Sequence, residues 1–163
     1  WRVAPRVAML FLAASVGTVA GPGDVQAAGS PLGLWYAEGG AAQVVIEHCE
    51  GTLCGRVVWL RSPFDEDGCE LLDRHNPAQG LRLRPVLGIE IMRGLEPSPG
   101  DSDVWVGGEI YDPTSGRTYR CELSLDGEDH LRLRGYLGVR WLGRTTRWIR
   151  VGAEQRACRE AAR

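Results

Sequence analysis

The chain has no lysine, so all 19 of its basic residues are arginine. The substitution is uniform along the sequence and reads as the compositional bias of a GC-rich coding sequence. The arginines are interspersed with 21 acidic residues and form no basic run, which removes the electrostatic footprint that nucleic acid requires. No apolar stretch reaches bilayer-spanning length: the longest, residues 7–19, has 13 residues. No segment before residue 152 keeps a helical period, no stretch repeats, and there is no Gly-x-Ser-x-Gly nucleophile motif. Asparagine occurs once, as Asn76.

What is present begins with an export signal. Arg2 and Arg6 precede the apolar run, and Val25-Gln26-Ala27 places small residues at a cleavage position, so residues 1–28 are expected to be a signal peptide. No cysteine follows the run, which argues against a lipid anchor. Removing Arg2, Arg6 and Asp24 leaves a formal charge of −3 on residues 29–163, a length that suits one domain. The expected location is periplasmic or secreted, and five cysteines in an exported chain invite disulfides. Cys49 and Cys54 are expected to pair across a hairpin with a four-residue loop, residues 50–53; closing so short a loop stabilises by about 2 kcal/mol. Cys69, Cys121 and Cys158 admit one further pair that the spacing does not choose.

Short apolar-alternating runs follow, separated by Gly, Pro and Asp turns. Runs are expected at 34–37, 43–49, 54–61, 81–84, 86–93, 104–111, 117–125, 131–137 and 140–151, with a turn over 96–103. The pattern is most regular over 117–125, where Tyr119, Cys121, Leu123 and Leu125 share a face. Val44 and Ile46, Val57 and Trp59, and Leu87, Ile89 and Ile91 form further sets. Gly107-Gly108 inside a strand points to a bulge. Residues 62–80 form one long irregular stretch, and such loops are often functional. Gly33-Leu34-Trp35 at the start and Trp148-Ile149-Arg150 at the end point to a sheet whose edges meet. The expected fold is all-β: one antiparallel up-and-down barrel of about eight to nine strands over residues 29–151, then a polar tail over 152–163.

The chain resembles the exported bacterial family called domain of unknown function 2147 over about residues 33–151. Matching stretches are Gly33-Leu34-Trp35, Cys49 with Cys54-Gly55-Arg56, Asp67-Gly68, Asp73 with Asn76-Pro77, and Arg84-Pro85-Val86-Leu87-Gly88. Later matches are Gly108-Glu109-Ile110-Tyr111-Asp112-Pro113 with Gly116, Gly135-Tyr136-Leu137-Gly138, Gly143-Arg144-Thr145 and Trp148-Ile149-Arg150. The resemblance implies a periplasmic or secreted lipocalin-like barrel and no established reaction. Cys69, Cys121 and Cys158 lie outside the pattern. Similarity to the broader lipocalin and avidin class implies a barrel-closing role for Gly33, Trp35 and Arg150, with the arginine over the tryptophan.

A barrel of this size holds packed side chains or one small ligand. Trp59, Trp105, Tyr111, Tyr119, Trp141 and Trp148 either line a pocket or fill the core. The expected ligand contacts are Trp105, Tyr111, Tyr119 and Trp148, with Arg84 or Arg144 as polar anchor. Arg82, Arg132, Arg134 and Arg147 read as solvated outer residues paired with carboxylates. Asp65, Asp67, Asp73 and Asn76 look like half of a calcium loop. The flanking helices are missing, however, and Asn76 stands where a chelating Glu belongs. An acidic turn bonding its own backbone is the favoured reading, and no metal or cofactor is expected. His48, His75 and His130 are scattered and offer no nucleophile–base set. The expected function is non-enzymatic binding of a small hydrophobic molecule inside the barrel. The alternative is an envelope module with a packed core that meets a protein partner through residues 62–80. Neither involves nucleic acid or a stable membrane span.

Overall fold

Alternating side chains give each strand one apolar face, and that face needs a partner surface to bury it. Eight strands meet the need by sharing an interior. The computed structural model describes residues 29–153. It contains β1 (Gly33–Tyr36), β2 (Ala42–Cys49), β3 (Thr52–Leu60), β4 (Glu90–Ser98), β5 (Asp101–Asp112), β6 (Arg117–Leu125), β7 (His130–Tyr136) and β8 (Arg144–Arg150). Each pairs antiparallel with the next, and β8 pairs with β1 to close the barrel. The expected signal peptide, Cys158 and most of the expected tail lie outside the described residues.

The closing seam is short: Trp35 faces Arg150 and Tyr36 faces Ile149. Arg150 reinforces it. Its guanidinium carbon lies 4.1 Å from the centre of the Trp35 ring. Its nitrogens donate to the carbonyls of Ser30 (2.6 Å), Leu32 (2.9 Å) and Glu128 (2.7 Å). The Trp35 indole N–H donates to the Pro31 carbonyl at 2.8 Å, so the buried ring leaves no polar atom unpaired.

Above this seal the interior is solid. Trp35, Val44, Ile46, Leu53, Met92, Leu95, Trp105, Cys121, Leu123, Leu131, Leu133 and Trp148 pack as one cluster. Inward glycines let large neighbours into the middle. A Cβ on Gly55 would lie 2.9 Å from Met92 Cε, and one on Gly108 would lie 2.8 Å from Leu95 Cδ2. These glycines therefore serve packing rather than an open lumen. Burial pushes the Cys121 thiol up to about 12, with help from the Glu109 and Glu122 charges. Cys121 is thus sealed in the core, while Cys69 is exposed.

Several expectations need correction. The Cys49–Cys54 disulfide is present, but its hairpin turns on two residues. Glu50 and Gly51 take φ of 50° and 87°, and Cys49 faces Thr52 while Cys54 faces Glu47. The two cysteines are therefore offset along the ladder rather than directly opposed. A register shift at Gln43/Val44 separates Val57, which is buried, from Trp59, which pairs with Gln43 and is exposed. Residues 81–84 form no strand, and the run expected at 86–93 is strand only from Glu90. β4 instead runs on to Ser98 through Pro97, leaving the β4–β5 turn only residues 99–100. Leu137 lies beyond the end of β7 and is exposed. The bulge expected at Gly107-Gly108 is present as a register shift between Trp105 and Gly108.

Strand direction sorts the connections by end. The β2–β3, β4–β5 and β6–β7 turns share the sealed end with Arg150. Residues 37–41, 61–89, 113–116 and 137–143 share the mouth. Truncating Trp35 to Ala is expected to cost about 3–5 kcal/mol. Arg150→Met should cost about 2 kcal/mol through lost stacking and charged hydrogen bonds. Urea unfolding measures both, and an Arg150→Met midpoint equal to wild type would contradict this view of the seal.

Candidate ligand cleft at the barrel mouth

The β3–β4 connection, residues 61–89, is ordered by its own polar side chains. Asp65 Oδ1 accepts the backbone N–H of Asp67 (3.1 Å) and Cys69 (2.9 Å), and its other oxygen pairs with Arg74 at 2.9 Å. Short bridges join Phe64 to Glu70 and Leu72 to Pro85. The acidic turn thus bonds its own backbone, as Asp in such loops commonly does.

The connection is tied to the barrel by a buried carboxylate. Asp73 is fully buried, and Asn76 nearly so. Asp73 Oδ1 accepts the Tyr111 hydroxyl at 2.6 Å. Its Oδ2 accepts Asn76 Nδ2 at 2.7 Å and a two-pronged contact from Arg84, Nε at 3.0 Å and Nη2 at 2.9 Å. Asn76 also donates to the Tyr111 oxygen at 3.2 Å and accepts the Ala78 N–H at 2.9 Å. Arg82 donates to the Asn76 carbonyl. A buried charge survives only when paired and fully hydrogen-bonded, and here it is. Below the network, Val57, Val86 and Ile89 form a second apolar cluster with Ala42, Leu60, Ile91 and Tyr111 packed against it.

Between connection and barrel lies a cleft of about 740 Å³. Its apolar wall comes from Ala42, Val57, Leu60, Leu71, Val86 and Ile91. Its polar side carries Arg61, Asp65, Glu66, Asp67, Arg74 and His75. An open cleft of this size, with one apolar wall and a charged rim, has room for a small ligand.

The residues singled out in the sequence fall into three places. Arg84, Tyr111, Asp73 and Asn76 come together as the polar tie, and Arg84, Asn76 and Tyr111 border a smaller recess of about 380 Å³. Trp105 and Trp148 belong to the solid lower core. Tyr119 pairs with Ile110 on the neighbouring strand and is half-buried, and Arg144 pairs with Glu38 at 2.6 Å on the surface. Of the residues weighed as ligand, metal or catalytic candidates, only Asp65, Asp67 and His75 line the large cleft. The Asp73 carboxylate is engaged by Tyr111, Asn76 and Arg84, and that of Asp65 by Arg74 and two backbone N–H groups. Among the described residues, Glu47, Cys49 and Cys54 bring metal-capable atoms close together, but the two sulfurs are bonded to each other. No helix among the described residues is long and apolar enough to cross a membrane.

The apolar wall was not foreseen, because Ala42, Val57 and Leu60 read as ordinary core positions. The available signal was the long loop itself: a closed barrel whose longest connection carries Leu71, Leu72 and Val86 has apolar surface to set against its mouth.

The family described as an uncharacterized protein conserved in bacteria (DUF2147) matches residues 33–150. The chain belongs to this family. Its match runs from the residue that opens β1 to the arginine that closes the barrel. A solved structure is also similar: protein HP1028 from the human pathogen Helicobacter pylori, described as belonging to the lipocalin family. It is 20% identical with a TM-score of 0.64, covering 78% of this chain and 86% of that one. At that identity the likeness shows the fold, which is lipocalin-like. Among curated proteins, none matches the chain significantly.

Partial burial first, then hydrogen bonding to and charge repulsion from Asp73, push Tyr111 up to about 12 from the ordinary 10. The folded chain therefore holds this proton longer than the unfolded chain does. Its contribution to stability is complete below pH 10 and is lost as pH rises through about 12. A tyrosinate absorbance titration should show a late step near pH 12, and Tyr111→Phe should remove it. Arg84→Met strands the Asp73 charge and is expected to destabilise by about 3 kcal/mol in thermal or urea unfolding.

Proposed function

We propose that this protein is exported and binds a small apolar ligand, without chemical conversion, in the mouth cleft rather than deep in the barrel. The observation that carries the reading is the contrast between the packed barrel and the open cleft at its mouth. The lower barrel is filled, whereas the cleft between the 61–89 connection and the barrel leaves about 740 Å³ against an apolar wall. The lipocalin-like fold is compatible with such binding. The Cys49–Cys54 disulfide supports an oxidising compartment, in keeping with the signal-like residues 1–28. In this reading Arg84 and Tyr111 act by fixing the wall through Asp73, while Trp105 and Trp148 form the floor of the barrel.

The charges around the cleft narrow the ligand. Asp65, Glu66 and Asp67 stand against Arg61 and Arg74, and Arg74 is already paired with Asp65. An apolar body with an uncharged or cationic head suits this rim better than a free fatty acid. The solid lower core favours a second reading, an envelope module that meets a protein partner through residues 62–80; such a module would leave the cleft empty.

Titration with the neutral probe N-phenyl-1-naphthylamine separates the two. A saturable fluorescence rise is expected, displaced by dodecanol or dodecylamine more readily than by laurate. Ala42→Phe, which projects a ring into the cleft, should weaken probe binding by roughly tenfold or more, whereas Trp148→Phe should leave it within about twofold. No saturable signal, or loss confined to Trp148→Phe, would remove the cleft reading.

A further inference from the structure

The outer wall of β6, β7 and β8 carries more base than its carboxylates answer. Leu131 and Leu133 point inward and are buried, so Arg132 and Arg134 between them point outward. On that face Arg134 stands between Glu122 of β6 and Thr145 of β8, and Arg132 between Ser124 and Arg147. Arg140 from the β7–β8 connection reaches the same wall through its ion pair with Glu122. Arg132 directly faces Arg147 across the ladder, and like charges so placed repel. Against these four guanidinium groups stand two carboxylates, Glu122 and Asp126. Asp126 already answers several bases. Arg132 first, bonded at 2.6 and 3.1 Å, then Arg147 and His130, hold its carboxyl below the ordinary carboxylate range. Glu128 and Asp129 belong to the β6–β7 turn beside Arg150.

These side chains surround a recess of about 300 Å³. Arg132, Arg134 and Arg140 line it with the Ser124 and Thr145 hydroxyls and Glu122. Arg134 is fixed in place: it donates to the carbonyls of Arg140 (3.0 Å) and Trp141 (3.3 Å) and to the Thr145 hydroxyl (3.1 Å). Its charge is therefore held at the recess by neutral acceptors. Thr145 accepts that bond and keeps its own proton to donate. The Ser124 hydroxyl has no hydrogen bond among the described residues. Arg132 meets Asp126 through Nε and Nη2, and Arg140 meets Glu122 through Nη2, so Nη1 of each still has N–H groups to give. Fixed N–H and O–H donors around a small recess, with positive charge in surplus, form the arrangement that receives an oxyanion.

We propose that this recess binds a tetrahedral dianion, phosphate or sulfate, either free or as the monoester end of a larger molecule. Two negative charges match the surplus of four arginines over two carboxylates, and their field relieves the repulsion between Arg132 and Arg147. Four acceptor oxygens suit the ring of donors better than the two of a carboxylate do. Glu122 opposes binding, because an arriving anion must take Arg140 from it. A recess this small takes one anionic group rather than a run of nucleic-acid phosphates. The site lies on the outside of the barrel and does not depend on the mouth cleft holding a ligand.

The test is calorimetric titration of the full chain with inorganic phosphate, sulfate and glycerol 3-phosphate, at an ionic strength held constant with chloride. Saturable binding is expected. Binding of the inorganic anions assigns the site to a free oxyanion, and binding confined to glycerol 3-phosphate assigns it to a monoester. Arg132→Gln should weaken binding by roughly tenfold and Ser124→Ala by about threefold. Glu122→Gln should tighten it several-fold, a gain that damage to the fold does not produce. Arg93→Gln, on β4, and the cleft-filling Ala42→Phe should match wild type. No saturable heat with any of the three anions would overturn the proposal. So would an Arg132→Gln affinity equal to wild type, or weaker binding by Glu122→Gln.

Discussion

Everything above the sealed end depends on a guanidinium lying over an indole. The ladder between β1 and β8 is only two residue pairs long, too little to hold the barrel shut by backbone hydrogen bonds alone. Arg150 compensates by tying two other pieces of chain together: residues 30–35, through the Trp35 ring and the carbonyls of Ser30 and Leu32, and the β6–β7 turn, through the carbonyl of Glu128. Arginine suits this role because its planar group stacks and donates at the same time. With that end shut and filled by Trp35 and Trp148, the longest connection of the barrel sits at the other end, where it can shape an opening.

That connection is positioned by polar chemistry inside an apolar setting. A buried carboxylate costs folding energy unless every oxygen is matched, so Asp73 leaves residues 61–89 little freedom to lie elsewhere. Asn76 and Arg84 from the connection itself and Tyr111 from β5 converge on one group. The result is a wall rather than a loose flap, and the cleft beneath it has a defined shape. Preorganisation of this kind lowers the ordering cost of binding, which is how a modest apolar surface can select a ligand.

The sequence made some of this legible and hid the rest for physical reasons. β6 was readable to the residue because Tyr119, Cys121, Leu123 and Leu125 face one interior while Arg120 and Glu122 face solvent; one-sided burial writes itself as alternation. The Trp35–Arg150 meeting was readable from a resemblance in its terminal motifs. Residues 81–89 were misread because Leu81, Leu83 and Leu87 alternate like a strand yet are exposed at the mouth. Pro97 pointed to a turn, but the β4–β5 ladder continues past it. The bulge that turns Trp59 outward leaves no local trace. The polar tie was half visible: its four members were each noticed, as metal or ligand candidates, but an irregular loop carries no period to show that Asn76 and Arg84 turn toward Asp73, and sequence separation hid Tyr111.

The account's central claim is that the lower barrel is full and the mouth is the place for a guest. Methyl-resolved NMR of the chain titrated with dodecanol tests it most directly. The account predicts shifts at Val57, Leu60, Leu71 and Val86, with Leu123, Leu131 and Leu133 unmoved. Shifts concentrated on those three deep leucines, or none at the mouth, would contradict it.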